Sequence, residues 1–154
     1  MNRRQFLCTA VLVAGALVAA DAALAAGETI TLHKDPNCGC CHLWGEAMQR
    51  AGYSIRTVDE PDLAPVKMRY GVPDEMQSCH TAVVGGYFIE GHVPEQALTR
   101  LLSEQPDIAG LAVPGMPSGS PGMGDDPDAT FEVYAVYKDP SKQPTIYFRA
   151  GPKG

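Results

Sequence analysis

Thr29-Ile30-Thr31-Leu32-His33-Lys34-Asp35-Pro36-Asn37-Cys38-Gly39-Cys40-Cys41-His42-Leu43-Trp44 carries the signals of a strand, a turn and a helix in this 154-residue chain. Its first five residues alternate, with Ile30 and Leu32 on one side, as a short strand does. Asp35-Pro36-Asn37 breaks that pattern and makes a turn. Beyond the turn, Leu43, Trp44, Ala47, Met48 and Ala51 recur at spacings of three and four, which predicts an amphipathic helix from about Cys40 to Ala51, closed by Gly52. A strand, a turn and a helix in this order put three cysteines at a helix N-terminus. Unpaired backbone N–H groups and the positive end of the helix dipole favour thiolate over thiol there. Thiolate is both the reactive form of cysteine and its metal-binding form.

Outward from this stretch, Tyr53 to Val58 alternates as a second strand, and Pro61 to Tyr70 reads as a helix carrying Leu63, Val66 and Met68, ended by Gly71. Thr81 to Val84 and Tyr87 to Glu90 flank Gly85-Gly86, a hairpin signal. Pro94 opens a helix with Ala97, Leu98, Leu101 and Leu102 inward. The order β-α-β-α-β-β-α over residues 28–105 is that of an α/β, thioredoxin-like domain with the cysteines between its first strand and first helix. Ala112 to Pro127 is rich in Gly, Pro, Ser and Met and has no period, so it reads as a loop. Phe131 to Tyr137 and Thr145 to Arg149 alternate across Asp139-Pro140-Ser141-Lys142 as an added hairpin. The expectation is one domain, 26–154, in which 106–154 form a loop and hairpin extension.

The first 25 residues are expected to be a signal peptide. Arg3 and Arg4 precede an apolar run from Phe6 to Ala20, and Ala23-Leu24-Ala25 offers a small-x-small cleavage site. Arg3-Arg4-Gln5-Phe6-Leu7 also resembles a twin-arginine signal, although an ordinary export signal often starts with two basic residues. Cleavage would remove Cys8 and leave four cysteines in a chain destined for the periplasm, without stable insertion in the membrane. It would also take away two basic residues and one acidic residue, moving the formal charge from −6 to −7. Such an acidic surface argues against nucleic acid as a partner. A chain of this size can bury a core without disulfides, which frees the cysteines for chemistry.

Cys38 and Cys41 have the C-x-x-C spacing of thiol–disulfide exchange, and Cys40 adds a third sulfur. Cys79 lies in Met76-Gln77-Ser78-Cys79-His80-Thr81, the segment that faces the cysteine turn in a domain of this type. Four convergent thiolates suit Cu(I), Zn(II) or an iron–sulfur cluster. Adjacent Cys40 and Cys41 strain a single tetrahedral site, whereas bridging thiolates suit a multinuclear Cu(I)–thiolate cluster. The plainer reading is a pair of structural disulfides, which adjacent cysteines form poorly. His42 and His80 each flank a cysteine and His92 ends a strand, so each is a candidate ligand, set against the alternative of a solvated or backbone-satisfied histidine. Met116 and Met123 lie in the aperiodic loop, where a thioether ligand for Cu(I) competes with ordinary packing. His33, Trp44, Met48 and Met68 read as structural, Met76 stays open, and Asp125, Asp126 and Asp128 read as a solvated loop.

Cys38-Gly39-Cys40-Cys41-His42-Leu43-Trp44, Ser78-Cys79-His80-Thr81-Ala82, Gly91-His92-Val93-Pro94, Pro114-Gly115-Met116-Pro117 and Gly119-Ser120-Pro121-Gly122-Met123, in this order, resemble the CopG-type family of exported proteins, predicted to bind metal. The resemblance covers nearly the whole chain after the leader. It implies a thioredoxin-like fold, copper binding through Cys38, Cys40, Cys41 and Cys79, and a periplasmic role in copper resistance. The expected function is binding of Cu(I), with possible cycling of its redox state, and the expected partners are copper ions and other periplasmic copper carriers or exporters. Two rivals stay open: a thiol–disulfide oxidoreductase using Cys38 and Cys41 as catalytic residues, and a zinc-binding module.

Overall fold

The computed structural model describes residues 27–151. The expected leader, with Cys8 and the arginine pair, lies outside the described residues. The elements in chain order are β1 (Thr29–Lys34), α1 (Gly39–Arg50), β2 (Ser54–Asp59), α2 (Ala64–Tyr70), a 3-10 turn (Asp74–Met76), β3 (His80–Val84), β4 (Tyr87–Glu90), α3 (Glu95–Glu104), β5 (Gly110–Ala112), β6 (Phe131–Val136) and β7 (Thr145–Ala150). The β-α-β-α-β-β-α series expected from periodicity is present, in a mixed α/β fold with one seven-stranded sheet ordered β2-β1-β3-β4-β5-β6-β7.

β1 runs parallel to β2 and antiparallel to β3, and β3 and β4 form the hairpin around Gly85-Gly86. Three residues departed from expectation by joining the sheet: Gly110–Ala112 pair in parallel with β4 and antiparallel with β6. Through β5 the β6–β7 hairpin continues the sheet edge to edge.

Strand alternation sorts side chains onto the two faces. Ile30, Leu32, Ala82, Ile89 and Leu111 face a core completed by Trp44 and Met48 of α1 and Ala97, Leu98 and Leu101 of α3. Gly45 of α1 sits where an added Cβ would come 3.1 Å from Leu32, so the helix packs close onto β1. The opposite face carries a smaller cluster of Val72, Phe88, Ala112 and Val136, against which Tyr70 and Met76 pack.

Helix α2 starts later than expected, at Ala64, because Asp62 accepts the Ala64 N–H at 2.9 Å and Pro65 occupies the first turn. Its buried residues are Val66 and Lys67, and Met68 is 79% exposed. This corrects the reading of Met68 as a packed side chain: the face turned to the sheet carries Lys67, whose ammonium pairs with buried Glu90.

Candidate metal centre

The turn Asp35-Pro36-Asn37 delivers the cysteines. Asp35 accepts Asn37 N–H on its carboxylate at 2.7 Å and Cys38 N–H on its carbonyl at 3.0 Å. Cys38 is the N-cap of α1, in extended conformation, and its carbonyl accepts the first helical hydrogen bond, from His42 N–H at 3.2 Å. The N–H groups of Gly39, Cys40 and Cys41 therefore open the helix beside the sulfurs.

Cys79 comes from the entry to β3. The ligand atoms of Cys38, Cys40, Cys41 and Cys79 all lie within 4.8 Å of one another. Cys40 Sγ is 3.6 Å from Cys38 Sγ and 3.9 Å from Cys79 Sγ, and Cys41 Sγ is 3.6 Å from the Cys79 carbonyl. Cys38 and Cys41 are joined as a disulfide with Cα atoms 5.4 Å apart, while Cys40 and Cys79 are free thiols. Cys41 is fully buried and Cys38 half-buried, so Cys38 is the accessible sulfur of the pair.

A second constellation shares Cys79: its Sγ and a ring nitrogen each of His80 and His92 also fall within 4.8 Å of one another. His92 is buried, with Nε2 3.0 Å from Cys79 Sγ and Nδ1 2.7 Å from the carbonyl of Pro121. A carbonyl only accepts, so Nδ1 carries the proton, and the neutral ring turns the lone pair of Nε2 toward the sulfur. His80 is fully buried beneath Trp44, their ring centroids 4.7 Å apart, and its Nδ1 lies 3.4 Å from Cys79 Sγ. Its Nε2 has no hydrogen-bond partner among the described residues. Its other ring nitrogen, Nδ1, is the one that faces the Cys79 sulfur.

Burial sets the charge states here. Desolvation, then the neighbouring Cys40, pushes the Cys79 thiol up to about 12. Desolvation, with His92 and Lys67 adding to it, holds His80 well below its ordinary 6.5, and desolvation lowers His92 as well, opposed by its bond to Pro121. Neutral thiol and neutral imidazoles therefore meet, with the Cys79 S–H donating to His92 Nε2. The expectation of a cysteine ionised near neutral pH does not extend to Cys79, which sits away from the helix terminus that would stabilise its charge.

A strap following β5 closes over the site. Gly122 has φ +89, and a Cβ there would come 2.7 Å from the Cys40 carbonyl and 2.9 Å from Trp44 N, so glycine alone lets the strap lie on the first turn of α1. Pro121, one residue earlier, presents its carbonyl to His92. Met123 is half-buried on this strap and Met116 is 54% exposed. His42 turns outward, 67% exposed and 3.2 Å from Glu46, outside both groups of convergent ligand atoms.

Sequence reading missed Glu90 and Lys67. Both are buried, their side chains are paired, and Glu90 Oε1 also accepts Ser78 N–H at 2.7 Å while Oε2 accepts the Thr81 hydroxyl at 2.6 Å. A polar residue in a strand pattern gives no local sign of such burial.

A family model described as "Protein of unknown function, DUF411" matches residues 76–123, from the approach to β3 through the strap. No curated protein matches the chain. A solved structure of a copper resistance protein CopG, form 1, is 40% identical, with a TM-score of 0.73 over 80% of this chain and 97% of that one. Its form 2 is 39% identical, with a TM-score of 0.74 over 80% of this chain and 98% of that one.

Proposed function

This chain belongs to the family of the CopG copper resistance proteins, and from that premise we propose that it binds Cu(I) in the periplasm through Cys38, Cys40, Cys41 and Cys79. The observation that carries the reading is the convergence of four sulfurs within 4.8 Å. Soft thiolates select Cu(I), and sulfurs this close can each bridge two metals, which favours a multinuclear copper–thiolate cluster over one tetrahedral ion. His92 Nε2, its lone pair already aimed at Cys79, and His80 Nδ1 complete the donor set at one side, with Met116 and Met123 available from the strap. Export rests on the leader-like segment of residues 1–25. No helix among the described residues is long and apolar enough to cross a membrane.

The Cys38–Cys41 disulfide supports a redox extension of this proposal. Two Cu(I) ions give up one electron each, the S–S bond breaks, two protons are taken up, and two Cu(II) ions and a dithiol result; the reverse recovers Cu(I). Bound copper would then pass to other copper carriers or exporters of the same compartment.

Anaerobic titration of fully reduced protein with Cu(I), followed by X-ray absorption, tests the reading. Sulfur-dominated coordination with a short metal–metal distance is expected. Binding limited to one oxygen-rich site, or preference for Zn(II) over Cu(I), defeats it.

The same disulfide favours a second reading, thiol–disulfide exchange on protein substrates with Cys38 as attacking sulfur. Insulin reduction by the metal-free protein distinguishes the two: vigorous turnover that survives Cys40→Ser and Cys79→Ser would favour exchange.

A further inference from the structure

We infer that Glu90, held by Lys67, is a positioning residue for the metal centre, a clamp that fixes Cys79 against the cysteine turn. Its two carboxylate oxygens grip the chain on both sides of Cys79-His80, the backbone at Ser78 and the side chain at Thr81. Oε1 takes the Ser78 N–H at 2.7 Å, and Oε2 takes the Thr81 hydroxyl at 2.6 Å. Lys67 Nζ donates to Oε1 and, at 3.2 Å, to Thr81 Oγ1, so every group around the carboxylate is a donor. Glu90 is fully buried and Lys67 only 6% exposed.

Strand register explains why the grip reaches the sulfur. Thr81 and Glu90 are direct partners across β3–β4 and share the face turned toward α2. Cys79 and His80 lie between the two gripped residues, and alternation sends His80 to the opposite face, under Trp44. Ser78 is held at the back as well: an added Cβ on Gly91, at φ +71, would come 2.6 Å from Ser78 Cβ and from the Val113 carbonyl. A charged pair is an expensive way to fill a core, since apolar residues of similar volume often stabilise as much or more. Its geometry here serves Cys79, whose Sγ must stay within reach of Cys40 and His92. Partners behind the metal ligands commonly set metal affinity by 10–100-fold.

The clamp rests on the Cu(I) reading, and the test separates the two. Two double variants remove the ion pair alike. Lys67→Met with Glu90→Gln keeps a carbonyl oxygen for Ser78 N–H, whereas Lys67→Met with Glu90→Leu keeps the volume and loses the acceptor. Cu(I) affinity is read by competition with a chromophoric chelator, and the near-ultraviolet thiolate-to-copper band is recorded alongside. The Gln variant is expected to match wild type within about threefold, and the Leu variant to lose about tenfold or more, with a weakened band. If the Leu variant does not fold, Thr81→Val, which removes one arm of the grip, takes its place, with a loss of a few-fold expected. A folded Leu variant, or Thr81→Val in its stead, with wild-type affinity and band overturns the clamp. Wild-type protein that takes up no Cu(I) overturns the reading beneath it.

Discussion

On the proposed reading copper uptake at Cys79 expels a proton, and the surroundings of the thiol set how that proton would show itself. Burial and the neighbouring Cys40 push this thiol up to about 12, so the metal-free protein carries it protonated across the neutral range. A metal–thiolate bond needs the proton gone. His92 is the nearest base, 3.0 Å away, but desolvation lowers its proton affinity and its Nδ1–H is already spent on Pro121. The proton therefore goes to solvent. One proton released per metallated Cys79 gives a slope of one in log apparent affinity against pH: tenfold per unit, or about 1.4 kcal/mol. Affinity rises with pH, because a higher pH draws the proton away. The perturbation is Cys79→Ser, and the assay is Cu(I) competition with reduced protein between roughly pH 6 and 8.5, within which Cys79 remains a thiol. The wild-type line should be steeper than the variant line by one unit throughout. Parallel lines would mean that Cys79 either binds no metal or is already a thiolate.

Acid should destabilise the metal-free protein through His80. The fold holds this ring neutral, far below its ordinary 6.5, while the unfolded chain protonates it, so stability is present above about 6.5 and falls as pH drops, by up to about 1.4 kcal/mol per unit. Urea unfolding at several pH values should show this slope, and His80→Gln should flatten it. Gly122→Ala forces a Cβ toward the Cys40 carbonyl at a backbone angle unfavourable to side chains, and should cost about 1–3 kcal/mol in the same assay while lowering Cu(I) affinity. Trp44→Ala should cost about 3–5 kcal/mol by emptying part of the main core, losing the bond to the Val93 carbonyl and uncovering His80.

What the sequence disclosed and what it withheld follow from the range of the forces involved. Strand β1 and helix α1 were legible because alternation and three-four spacing are local consequences of burying one face, and they carried the cysteine trio to its place. Strand β5 was not. Gly110–Ala112 is too short for a period, and its strand character comes from β4 and β6 on either side. The convergence of Cys79 on the trio was legible from element order alone. The clamp was hidden, because Lys67 and Glu90, 23 positions apart, each pass for a solvated charge until helix and sheet are stacked. Met68 misled for the same reason: the inward face of α2 carries Lys67, paired with Glu90, beside Val66. The aim of His92 was hidden too, since it depends on a carbonyl 29 residues later.

The strap at Pro121 and Gly122 has a consequence for the order of events as the polypeptide matures. Sulfurs from the first quarter of the described chain meet Cys79 well beyond them, and that thiol meets an imidazole from the middle, whose orientation rests on a peptide group further along still. Little of the pocket exists until tertiary structure is nearly complete, so on the proposed reading copper would meet a finished receptacle rather than organise the fold around itself, as zinc does in a finger.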